Sequence, residues 1–102
     1  MGILTLQEAA DILKLEVVSD YPQLPILLPS VDEYIKDSTG KDWGVDDPID
    51  PTAKMAAVVL LVNWFDNPGA IGSIDGFRKT MIDLTGKLQA KALVLAASEV
   101  II

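Results

Sequence analysis

The sequence predicts an all-α fold, a small bundle of about four helices with an apolar C-terminal tail whose conformation the pattern leaves open. Three observations carry this. Apolar residues recur at helical spacing along most of the chain. Two segments open with helix N-capping signals. Half the residues are hydrophobic but only 6% are aromatic, so the apolar content is mostly Ala, Val, Ile and Leu, which suits helix packing and subunit contact better than a ligand pocket.

Thr5 followed three residues later by Glu8 is a capping box, and a helix is expected from about Leu6 to Leu15. Leu6, Ala9, Ala10 and Leu13 share one face, while Gln7, Glu8, Asp11 and Lys14 occupy the other. Leu24, Leu27, Leu28, Val31 and Ile35 form a second stripe, giving a helix from roughly Gln23 to Ser38 with Gly40 as its stop. Pro22 and Pro25 fit a first turn. Pro29 lies too far in and removes a ladder hydrogen bond, so the helix either kinks there or begins at Ser30.

Residues 41–50, with Gly44 and Asp42, Asp46, Asp47 and Asp50, read as a solvated loop. Asp50-Pro51 then opens a third helix, with a carboxylate N-cap and proline at the first helical position. From Ala53 to Phe65 almost no polar side remains before Asn67-Pro68-Gly69 ends the helix. A helix apolar all round lies at the centre of a fold or between subunits. Met55 to Phe65 is therefore the expected central helix, with Leu61 buried among Val58, Val62 and Phe65. Ile74, Phe77, Met81, Leu84 and Leu88 mark a further helix, from about Ile74 to Leu84 or on to Lys91, whose end Gly86 obscures. The run after it, Ala92 to Ile102, is either an extension of that helix or a strand.

The 102 residues form one domain, 1–102, with 15 acidic against eight basic side chains, a net charge of −7, and neither cysteine nor histidine. Disulfides, thiolate and imidazole metal sites, thiol nucleophiles and histidine-based triads are thereby excluded. The acidic balance argues against holding nucleic acid by phosphate neutralisation. No stretch reaches the roughly 18 consecutive apolar residues of a membrane span, and no export signal is present, so a soluble protein of the cytoplasm is expected, with no membrane partner.

The four aspartates of residues 41–50 lack the alternate spacing and late glutamate of a calcium loop. Adjacent carboxylates such as Asp32 with Glu33, or Asp46 with Asp47, do not face each other on a helix and make poor acid and base pairs. Gly69 to Gly76 is glycine-rich, but no strand precedes it and no Gly-Lys-Ser or Gly-Lys-Thr closes it, so it reads as a helix connection rather than a phosphate loop. No catalytic residue, metal or cofactor is expected, and the chain does not read as an enzyme. Trp64 and Phe65, without interleaved Arg or Lys, belong to the core or to an interface rather than to base stacking.

Three segments in order carry a family resemblance. They are Leu4-Thr5-Leu6-Gln7-Glu8-Ala9-Ala10 leading to Leu13-Lys14-Leu15, the helix end Tyr34-Ile35-Lys36-Asp37-Ser38-Thr39-Gly40, and Ala53 through Trp64-Phe65-Asp66-Asn67-Pro68. Together, over roughly residues 3 to 84, they resemble the small head-tail connector (adaptor) proteins of tailed bacteriophages. Gly76-Phe77 to Leu84 resembles the last short helix of that family. The resemblance implies an all-helical virion subunit, assembled in the bacterial host, that forms a cyclic homo-oligomer of about a dozen copies beneath the portal protein. Such a ring extends the DNA exit channel and docks a tail-completion or stopper protein. DNA would pass without specific binding, and an acidic wall would repel its phosphates.

A half-apolar domain of about 100 residues exceeds what a small interior hides, which independently points to contact with another chain. The expected interface residues are Trp64, Phe65, Leu93, Val94, Leu95, Val100, Ile101 and Ile102. The tail either folds back on its own core or crosses to a neighbouring subunit or the portal. A second functional reading is a small acidic helical module that sequesters a basic protein, as antitoxins and DNA mimics do.

Overall fold

A computed structural model describes residues 2–100. Four helices account for most of them, α1 (Leu6–Leu13), α2 (Leu24–Thr39), α3 (Pro51–Asp66) and α4 (Arg78–Val100), and no strand occurs among the described residues. The all-α bundle is therefore as the sequence predicts.

Thr5 and Glu8 close the capping box reciprocally. The Glu8 amide donates to Thr5 Oγ1 at 3.1 Å and the Thr5 amide donates to Glu8 Oε1 at 3.0 Å. α1 ends two residues earlier than expected because Lys14 turns into the left-handed region at φ 58°. Ahead of it, Ile3 and Leu4 are buried. The Ile3 amide donates to Asp32 Oδ1 at 3.0 Å, which ties the N-terminal segment to α2.

α2 runs through Pro29 without stopping. Pro25 and Pro29 both lie on its exposed side, where water can take over from the missing amide donor, while Leu24, Leu27, Val31, Ile35 and Thr39 face inward. Gly40 ends α2 at φ 81°, and its amide donates to the Lys36 carbonyl. The sequence reading of residues 41–50 as solvated is corrected at one point. A single helical turn, Trp43–Val45, carries Trp43 into the core at 2% exposure. Its indole N–H donates to Thr39 Oγ1 at 2.9 Å, and that hydroxyl donates to the Ile35 carbonyl at 2.7 Å.

α3 is the central element and packs against each of the other three helices. Ala53, Ala56, Ala57, Leu60, Leu61 and Trp64 are its buried stripe, and the alanines let the neighbouring backbones come close. It is not buried all round, contrary to the expectation. Met55 is 56% exposed and Val62 37% exposed, so Val62 is not among the residues enclosing Leu61. Three neighbouring helices cover one broad side, and the chain has no further element for the other.

α4 is a single helix of 23 residues, about 34 Å long at 1.5 Å per residue. It passes straight through Gly86. Met81 and Leu88 face the core, and Leu84 and Ala92 pack partly against it. As far as Val100 the apolar tail is thus a helical extension rather than a strand, and Leu93, Val94 and Leu95 do not fold back on the core.

Candidate subunit interface

The expected interface residues separate into three groups. Trp64 is only 1% exposed, its indole N–H donates to the Ser73 carbonyl at 2.7 Å, and Tyr34 meets its ring edge-on at 5.6 Å. Its assignment to an interface is corrected: it is a core residue, which follows from its place on the stripe of Ala53, Ala57 and Leu60. Phe65, next to it, is half-buried and lies 5.9 Å from the Tyr21 ring. Leu93, Val94 and Leu95 are 67%, 66% and 48% exposed, so three consecutive aliphatic side chains lie open on the end of α4. Val100 is the last residue of α4, and Ile101 and Ile102 lie outside the described residues.

The end of α4 is held over the start of α3 by charge. Lys91 Nζ lies 3.0 Å from Asp50 Oδ2 and 3.2 Å from Oδ1, and it also reaches Thr52 Oγ1 at 3.4 Å. Asp50 at the same time caps α3 through the Thr52 amide at 2.7 Å. Partial burial pushes the Asp50 carboxyl up, but the hydrogen bonds from Lys91 and the Thr52 amide outweigh it and hold it below its ordinary value. Two of the other three aspartates of this connection also have local partners. Asp42 accepts from the Gly44 amide at 3.0 Å, and Asp46 pairs with Lys41 at 3.1 Å.

Since Lys91, late in α4, pairs with Asp50 just before α3, and Trp64 in the last turn of α3 donates to the Ser73 carbonyl ahead of α4, α3 and α4 run antiparallel. The free end of α4 therefore lies at the α3 N-terminal end of the bundle. At the opposite end, around Trp64 in the last turn of α3, a groove of about 500 Å³ is lined by Pro29, Glu33, Tyr34, Asp37, Trp64 and Ile71. Glu33 and Asp37 are exposed one helical turn apart, and neither has an ion-pair partner among the described residues. The sequence reading missed this groove because Ile71, 46% exposed, comes from the connection after α3 and meets α2 only in three dimensions. Ile82, 54% exposed, was also missed, because it lies off the inward stripe of α4 and carries no charge.

Charge is unevenly divided. Residues 1–77 contain four basic and 13 acidic side chains, a net −9, whereas residues 78–102 contain four basic and two acidic, a net +2, together giving the chain's −7. The helix with the exposed aliphatic end is thus the one cationic element of an acidic protein. No helix among the described residues is long and apolar enough to cross a membrane.

No protein-family model matches the chain, and neither a curated protein nor a solved structure matches it.

Proposed function

We propose that the chain is a structural, non-enzymatic virion subunit, a head-tail connector that forms a ring beneath the portal of a tailed bacteriophage. The ring would extend the DNA exit channel and dock a tail-completion or stopper protein. The observation that carries this reading is the order and spacing of the three resembling segments. Local structure supports it: the first segment caps α1, the second closes α2 at Gly40, and the third forms α3 up to Trp64 and Phe65. Exposed aliphatic surface on α4 and α3 supports contact with other copies. A net charge of −7 suits a channel wall along which DNA slides.

Native mass measurement and electron microscopy of the purified protein, alone and with the portal protein of the same phage, test the proposal. Annular particles of about a dozen copies, or a stoichiometric complex with the portal, are the expected result. A chain that stays monomeric in both conditions overturns it. The acidic groove at Glu33 and Asp37 favours the second reading, a module that sequesters a basic protein, and a monomer forming a one-to-one complex with such a protein would establish that instead.

A further inference from the structure

We infer that the C-terminal end of α4 in one copy seats in the Glu33, Tyr34 and Asp37 groove of a second copy. This deepens the proposed function and rests on its premise that the chain assembles with itself.

The two surfaces fit in chemistry. Outside the core stripe of Met81 and Leu88, α4 presents Gly86, Lys87, Ala90, Leu93, Val94 and Ala97, all exposed, with Ala90 and Val94 also bordering a cleft beside Trp43 and Asp50. Leu93 and Val94 flank a floor of small residues, and Lys87, two turns before Val94 on the same stripe, has no ion-pair partner among the described residues. An added methyl at Gly86 would meet nothing within 4 Å, so packing inside the chain does not require glycine there. The groove offers the complement, an apolar floor from Tyr34 and Ile71 with two carboxylates on its rim that have no ion-pair partner among the described residues.

The geometry makes the contact intermolecular. Lys91 on Asp50 anchors the α4 end at one extremity of α3, and Trp64 marks the groove at the other, about 20 Å away along the helix. A continuous helix packed on the core through Met81, Leu84, Leu88 and Ala92 cannot bend back across that distance, so the donor of one copy reaches only the acceptor of another.

Charge also selects the pairing. Two α4 faces placed together would oppose the Lys87 of each copy, Lys91 being paired with Asp50, and two grooves would oppose four carboxylates. Only the unlike pairing is attractive. A contact between two different surfaces of identical chains is heterologous and propagates, closing into a ring when its rotation allows.

Sedimentation velocity with the full chain tests the pairing. The variant Glu33→Lys with Asp37→Lys, and separately Lys87→Glu, should each weaken self-association by about tenfold or more. Because all three positions are exposed, circular dichroism and melting temperature should stay at wild-type values. Mixing the two variants in equal amounts should restore assembly, since each then offers a partner of opposite charge. Leu93→Asp should weaken assembly without rescue. If the wild type assembles and the groove variant assembles equally well, the groove pairing is overturned while the ring reading stands. If assembly shows this charge-swap rescue but the oligomer neither closes nor binds the portal, the pairing stands and the connector reading fails. A wild type that remains monomeric alone and with the portal overturns both.

Discussion

Thr39 and Trp43 illustrate how much of the fold depends on single polar contacts. The Thr39 hydroxyl accepts from the Trp43 indole N–H and donates to the Ile35 carbonyl, all inside the core. Thr39→Val keeps the shape but leaves the indole N–H unpaired, a loss of about 1–3 kcal/mol, measurable as a lower chemical-denaturation midpoint. Leu61 is fully buried, and Leu61→Asp places an unpaired charge there; loss of the cooperative melt is expected, and a wild-type transition would remove Leu61 from the core. Asp32 behaves differently from Asp50. Burial raises its carboxyl above the ordinary range, and the Ile3 amide bond only partly opposes this. A raised value in the folded state means that folding favours the protonated acid. The group's contribution is therefore greatest at acid pH and declines as pH rises through that raised value. Asp32→Asn keeps an acceptor for Ile3 and removes the charge. It should melt higher than wild type at pH 7, with the gain vanishing below the ordinary aspartate range; an unchanged or lower melting temperature at pH 7 would contradict this.

At the scale of elements, α4 is the one whose parts differ most in what they do for stability. Its first three turns bring Met81, Leu84 and Leu88 to the core, while Leu93, Val94 and Leu95 are exposed. Deleting residues 93–102 should leave the melting temperature of the dilute monomer within a few degrees of wild type and should reduce self-association. An unfolded truncated chain would show that the segment supports the core. Gly86 lies inside α4 with open space around it. Gly86→Ala should stabilise the monomer by about 0.5–1 kcal/mol through helix propensity alone. The same methyl lies on the face that the groove pairing uses, so monomer stability and assembly are read separately.

The whole molecule measures 49 × 28 × 17 Å, with a radius of gyration of 14.1 Å, against about 13 Å for a compact domain of 100 residues. The excess length accompanies the long α4. Its ends differ in character: a helix with Lys87, Lys91 and three open aliphatic side chains at one, and an acidic groove at the other. A chain built this way has complementary but non-identical ends, which is the condition for head-to-tail assembly. Because the rim charges of the groove are exposed, association should weaken when salt is raised to about 0.5 M, where screening acts over only a few ångströms. Sedimentation at two ionic strengths measures this, and salt-independent assembly would assign the contact to the aliphatic surface alone.

The fold class, the order of the four helices and the N-terminal caps of α1 and α3 were legible in the sequence, because these rest on short-range physics. A Thr5 hydroxyl and a Glu8 carboxylate three residues apart, a carboxylate before Pro51 and a glycine at 40 act within one turn of chain. Part of the candidate site was legible in the same way, since the aliphatic run at 93–95 was visible as excess apolar surface near a chain end. Whether Pro29 broke its helix, which of two adjacent aromatics was core, and which side of α3 stayed open were decided only by packing. Trp43 shows why: its burial depends on α2 ending where its side chain can reach Thr39, a relation that no periodicity records. The acidic groove is likewise tertiary, because Glu33 and Asp37 meet Ile71 only when the connection after α3 turns back over α2. The opposition of the groove and the α4 end follows from the antiparallel course of α3 and α4, which the Lys91 and Asp50 ion pair, 41 residues apart in sequence, fixes in space.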